Sequence, residues 1–198
     1  MPYSQFNIEN VQAELGIQVQ DRPSLFADVA PVAYSDLLAQ LLEKYTPLAI
    51  AIGTEKSRSE FIIAPILFEL KQQLFNQISL FSGKEFNVEP LRGLTGFCDF
   101  LISQSPEQLF IKSPVITLVE AKNDSISSGL GQCIAEMVAA QIFNERHQNE
   151  TSTIYGVVTT GSNWKFMRLR GNVVEADLTE YYLSDVGKLL GILRHCVE

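Results

Sequence analysis

Two carboxylates and an amine are the residues of this sequence best suited to chemistry. Asp99 lies in Phe97-Cys-Asp-Phe-Leu-Ile102, and Glu120-Ala-Lys122 closes the apolar run Val115-Ile-Thr-Leu-Val119. Strand residues two apart point to the same face, so Glu120 and Lys122 are expected side by side, roughly 6–7 Å apart along the strand. Carboxylate pairs hold hard divalent cations such as Mg²⁺. An ammonium beside such a cation orients a water or stabilises developing negative charge. This is the minimum equipment for metal-assisted phosphodiester hydrolysis.

Two strands must present these groups. Residues 96–103 and 115–121 read as central strands covered on both sides, and residues 104–113, with Pro106, as a loop between them. Upstream, residues 32–44 carry a helical stripe of Leu37, Leu38, Leu41 and Leu42, and residues 48–52 read as a short strand leading into a turn at Gly53. Residues 57–75 read as a long amphipathic helix. Its positions 60, 63, 67, 70 and 74 share a face, four of them apolar and the fifth Glu60. Pro65 predicts a kink there, or a helix whose regular part starts there. Residues 78–89 suggest a strand pair turning near Ser82-Gly83-Lys84.

A helix is expected from Ser128 to about Arg146. After it come strands at 153–160, 164–170 and 173–176 with glycine turns between them, then a closing helix at 183–196. The first 30 residues show no clear pattern. The order helix, strands, helix, strands, helix predicts a mixed α/β sandwich.

Composition sets bounds on the function. With 198 residues, 46% hydrophobic and 19% charged, the chain is expected to form one domain over residues 1–198, with a core at about 57–170. A net charge of −8 and a pI near 4.8 predict weak nonspecific affinity for nucleic acid, because phosphate contacts rely on Lys and Arg. No apolar stretch approaches the roughly 20 residues of a membrane span, and no basic, then apolar leader opens the chain, so a cytoplasmic location is expected. Three scattered cysteines suit a reducing compartment, with Cys98 and Cys133 as small core residues. Only His147 and His195 are present to help bind zinc, which disfavours such a site. Gly53-Thr-Glu-Lys-Ser57 lacks the glycines of a phosphate-cradling loop, and no GxGxxG or GxSxG occurs, so nothing favours a nucleotide or small-molecule enzyme.

On Glu60, Asp99, Glu120-Ala-Lys122 and Gln132, the chain resembles the PD-(D/E)xK nuclease superfamily over roughly residues 57–170. Residues 155–169 are similar to the end segment of bacterial members. The resemblance implies a restriction-endonuclease-like αβββαβ core, a central mixed sheet flanked by helices. An extra N-terminal helical segment and a C-terminal strand meander with a helix would be added to it. It also implies that Asp99, Glu120 and the backbone carbonyl of Ala121 ligate Mg²⁺ (or Mn²⁺), with Glu60 completing or supporting the site. Lys122 would position the attacking water, and Gln132 matches the glutamine that follows the lysine in several branches. The implied partner is nucleic acid, DNA first, with a homodimer required for double-strand cleavage. Cys98 stands where the superfamily usually has proline.

Simpler readings compete. Asp99 and Lys122 could form a buried structural ion pair. Ser57-Arg-Ser-Glu60 fits a capping box with Ser57 at the N-cap. Gln132 and Glu136 share a helix face and could be a solvated edge. Trp164, Lys165 and Arg168 could contact nucleic acid or be half-buried hairpin residues. A noncatalytic scaffold or protein-binding subunit of the same fold is the alternative function.

Overall fold

In the computed structural model, which describes residues 2–198, one mixed sheet is flanked by helices on both faces. In chain order the strands are β1 (Gln18–Arg22), β2 (Ser79–Glu85), β3 (Phe97–Ser103), β4 (Val115–Ala121), β5 (Ile154–Thr159), β6 (Asn163–Arg170), β7 (Val173–Asp177) and β8 (Tyr181–Tyr182). They lie in the order β1-β7-β6-β5-β4-β3-β2, with β8 paired to β6. Pairing is antiparallel except for β1 with β7 and β4 with β5.

Helices α1 (Ile8–Leu15) and α5 (Ser127–Arg146) cover one face, against Leu101, Leu118, Val158 and Met167. The other face packs on α2 (Asp36–Ile52), α4 (Ala64–Gln73) and α6 (Val186–His195), through Phe100, Val119, Val157 and Phe166. Every residue of β4 is buried, as a strand covered on both faces requires.

Three expectations are corrected. Residues 48–52 are not a strand: α2 runs through Pro47 to Ile52. Proline removes the hydrogen bond to the carbonyl four residues back. Here that residue, Glu43, is exposed, so water can take the freed carbonyl. Residues 78–89 do not form a strand pair, because Ser79 to Glu85 is one strand pairing along β3. Gly83, read as a turn, lies within that strand at φ +58°. Finally, Thr54 rather than Ser57 is the N-cap of α3 (Glu55–Arg58), and Ser57 returns the bond from the third helical position.

Between α3 and α4 the chain makes one π-helical turn, Ser59–Ile63, in which the Ala64 N–H reaches Ser59. The wider turn lies just before Pro65, whose ring nitrogen has no hydrogen to donate. Buried positions there are Ser57, Ile62, Ile63, Ile66, Leu67 and Leu70, with a step of five after Ser57 where an α-helix would give three or four. That extra residue rotates Glu60 off the apolar stripe of Ile63, Leu67, Leu70 and Leu74. Glu60 is exposed and paired with Lys56 at 3.0 Å.

Helix α5 is pinned near both ends, to β4 at one and to the start of α1 at the other. Asn144 near its C-terminus holds both backbone polar groups of Val115, at 2.8 and 2.7 Å. Near its N-terminus, a Cβ added at Gly131 would lie 2.3 Å from the backbone of Asn7. Gly131→Ala should therefore cost about 1–3 kcal/mol, as overpacking does, despite the higher helix propensity of alanine. A denaturation midpoint equal to the parent's would contradict this packing.

Candidate functional site at the end of the central strands

The β3–β4 register pairs Phe100 with Val119. One step further, Asp99 and Glu120 oppose each other and share a face. Asp99 Oδ2 accepts the Ala121 N–H at 2.8 Å. Lys122 reaches back to Glu120 in a salt bridge and contacts Gln132 Oε1 at 3.4 Å. Gln132 Nε2 in turn donates to Glu136 Oε1 at 3.2 Å. Asp99, Glu120, Lys122 and Gln132 thus form one contiguous polar group.

Glycines shape its surroundings. In the β2–β3 register, Gly83 falls opposite Asp99, between the pairs Ser82–Phe100 and Lys84–Cys98. Its missing side chain leaves open space. A cleft of about 240 Å³ opens here, lined by Asp99, Ala121, Gly83, Glu55 and Glu60. At Gly129, a Cβ would come within 3.0 Å of Lys122 Cε. The first turn of α5 can therefore lie directly on the lysine stem.

Burial sets the charge states. Glu120 is 1% exposed; burial first and the neighbouring Asp99 second raise its pKa to about 8, against the opposing pull of Lys122. Asp99 is also raised by burial, despite the Ala121 hydrogen bond and Lys122. Burial alone would lower the Lys122 pKa, but the Glu120 carboxylate outweighs it and the ammonium is held above its usual value. Glu136 is fully buried, and burial together with Glu120 pushes its pKa well up.

The reading of Gln132 and Glu136 as a solvated edge is thereby corrected. Gln132 is half-buried and Glu136 is inside the protein. The i, i+4 spacing was visible in the sequence. Its inward direction was not, because α5 is buried over most of its circumference and lacks one clear polar face. Gly83 and Glu55, which also line the cleft, were likewise missed.

Glu60 stands on the cleft's rim, engaged by Lys56; no hydrogen bond or ion pair joins it to Asp99 or Glu120 among the described residues. The proposed Asp99–Lys122 ion pair is absent among the described residues, since Lys122 pairs with Glu120. Trp164 is fully buried with its indole N–H on Gly161 O at 3.0 Å, and Arg168 is tied to Glu175. The indole is thus unavailable for base contact. Cys98 and Cys133 are buried free thiols, as expected of core residues.

Glu120 Oε2 is buried with no hydrogen-bond partner among the described residues. An uncompensated carboxylate oxygen beside a second carboxylate suits a hard cation that accepts oxygen ligands. Among the described residues, no group of three or more His, Cys, Asp or Glu is arranged to hold a metal. Two carboxylates nevertheless suffice for Mg²⁺, which usually keeps several waters. No protein-family model matches this chain, and no curated protein matches it.

The raised Glu120 pKa has a measurable consequence. Without metal, the folded protein holds a proton on Glu120 that the unfolded chain has released above pH about 4.5. Stability should therefore fall as pH rises from about 5 to 8. Urea unfolding at both ends of this window should show a shallower fall in Glu120→Gln. Equal falls in parent and variant would contradict the burial assigned to this carboxylate.

Proposed function

We propose that the chain is a metal-dependent nuclease of the restriction-endonuclease-like fold, hydrolysing phosphodiester bonds at Asp99, Glu120 and Lys122. The observation that carries this reading is the buried, unpartnered Oε2 of Glu120, placed beside Asp99 and within a salt bridge of Lys122. The element order α4-β2-β3-β4-α5-β5 supports it, being the αβββαβ succession of that fold. Asp99, Glu120 and the Ala121 carbonyl would hold Mg²⁺ or Mn²⁺, with Glu60 on the rim. The bound ion would supply positive charge against the phosphoryl oxygens.

Lys122 has a defined part in this scheme. Its raised pKa keeps it protonated, so it donates hydrogen bonds and does not serve as the base. Gly129 and Gln132 restrict its stem and head, which limits where the ammonium can direct a water or an oxyanion. Gln132 holds Lys122 from above, and Glu136 holds Gln132.

A second reading, a protein-binding subunit without catalysis, is favoured by one observation. A groove of about 400 Å³ between α2 and α4 exposes Leu37 and Phe68, which are 61% and 53% accessible.

Incubation of DNA with the protein and Mg²⁺ or Mn²⁺ tests the proposal. The parent should cleave, and Lys122→Ala should cut about 10²–10³-fold more slowly with its circular dichroism unchanged. Equal cleavage by the variant would remove Lys122 from the site. No cleavage by the parent under either metal would overturn the nuclease reading in favour of the binding subunit.

A further inference from the structure

A second polar cavity, of about 440 Å³, opens beyond the end of β4, where Asn123 follows Lys122. Arg58 enters it from the last turn of α3, the turn whose Lys56 lines the Asp99 cleft. One end of the guanidinium is anchored: Nη1 donates to Thr160 O at 3.1 Å and to Ser162 Oγ at 3.4 Å. The other edge is free. Among the described residues, neither Nε, which is buried, nor Nη2 has a hydrogen-bond partner. Nε with Nη2 is the side-on fork that binds oxyanions through two parallel hydrogen bonds. An unpaired donor so placed is costly unless a ligand takes it.

Two further features of the same cavity agree. Asn123 Oδ1 is also buried and unpartnered. No hydrogen bond fixes this side-chain amide among the described residues, and its Nδ2, unlike Oδ1, is not buried, which leaves two donors uncommitted. The first turn of α5 borders the cavity at Ser127, and its N-cap residue, Ile126, gives no side-chain hydrogen bond. Backbone N–H groups at such an end favour negative charge. Opposing charge comes from Asp124 and Glu180, which also line the cavity; the Glu180 carboxylate accepts from Asn163 Nδ2 at 3.1 Å.

We infer that this cavity is an oxyanion site that takes a phosphate group on the free edge of Arg58. It goes beyond the carboxylate site and needs no metal. Its position one residue past Lys122 suits a phosphate next to the one being cleaved, but its test does not depend on cleavage.

The parent is titrated in EDTA with inorganic phosphate in one arm and a short DNA oligonucleotide in the other, following backbone amide shifts by NMR. Saturable shifts at Ser127, Ser128 and Thr160 are expected, with affinity about tenfold weaker or worse in Arg58→Met. Arg58→Lys keeps the charge but loses the fork, and should also weaken binding. Tighter binding of the oligonucleotide through the same amides would identify the phosphate as that of a nucleic acid. Equal binding would identify it as free phosphate. Absence of saturable shifts in the parent with both probes overturns the inference, whatever the variants do, and so does undiminished affinity in a folded Arg58→Met. A protein that cleaves DNA without these shifts would retain the carboxylate site and lose this one. Shifts without cleavage would do the reverse.

Discussion

Three carboxylates, Asp99, Glu120 and Glu136, lie in or near the protein interior around one ammonium, Lys122. An ionised carboxylate loses its hydration on burial, and like charges packed together add repulsion. One lysine cannot neutralise three acids. The interior meets this imbalance by retaining protons on Glu120 and Glu136, by directing the Ala121 N–H at Asp99, and by chaining Lys122, Gln132 and Glu136 together. Even so, Glu120 Oε2 and Glu136 Oε2 remain unpartnered. Such a residue set does not serve stability, since well-packed apolar side chains would do at least as well there.

The fold around this cluster holds it in place. The β3–β4 pairing sets Asp99 against Glu120, while Asn144 and the close approach at Gly131 fix the ends of α5. Gln132 is therefore delivered to Lys122 by a helix packed closely near both of its ends. On the opposite side, Gly83 lines the cleft across from Asp99, with open space where a Cβ would stand. The π turn ahead of Pro65 turns Glu60 away from the core and toward the rim. Rigid elements bring the charged groups together, and of these groups Asp99 lines the open cleft while Glu120 stays buried behind it.

Much of this was legible in the residues. Strand β4 coincides with the expected strand 115–121, and α5 begins within one residue of the expected start. Long periodic segments and unbroken apolar runs carry the strongest signal. The same logic placed Asp99 and Glu120 on adjacent strands. Legibility failed where a local breaker was overruled by tertiary context. Residues 48–52 suggested a short strand, yet α2 runs through Pro47 and takes them in as its last turns. Gly83 suggested a turn, yet cross-strand pairing with β3 keeps it in a strand. In residues 1–30, β1 is a polar edge strand that exists through its pairing with β7, a contact more than 150 residues away in sequence. Glu136 was misread because charge normally marks the surface, and only the neighbours of α5 reveal that this face is covered.

The central claim is that the Asp99–Glu120 carboxylate pair exists to receive a divalent cation. Calorimetric titration of Mg²⁺ at pH 7, in two buffers of different ionisation enthalpy, tests it most directly. Entry of the ion at Glu120 must displace the proton held there, so a saturable isotherm with a buffer-dependent heat is predicted, and it should be lost in Glu120→Gln. No saturable heat at millimolar metal, or a heat that is the same in both buffers and survives in Glu120→Gln, would contradict it.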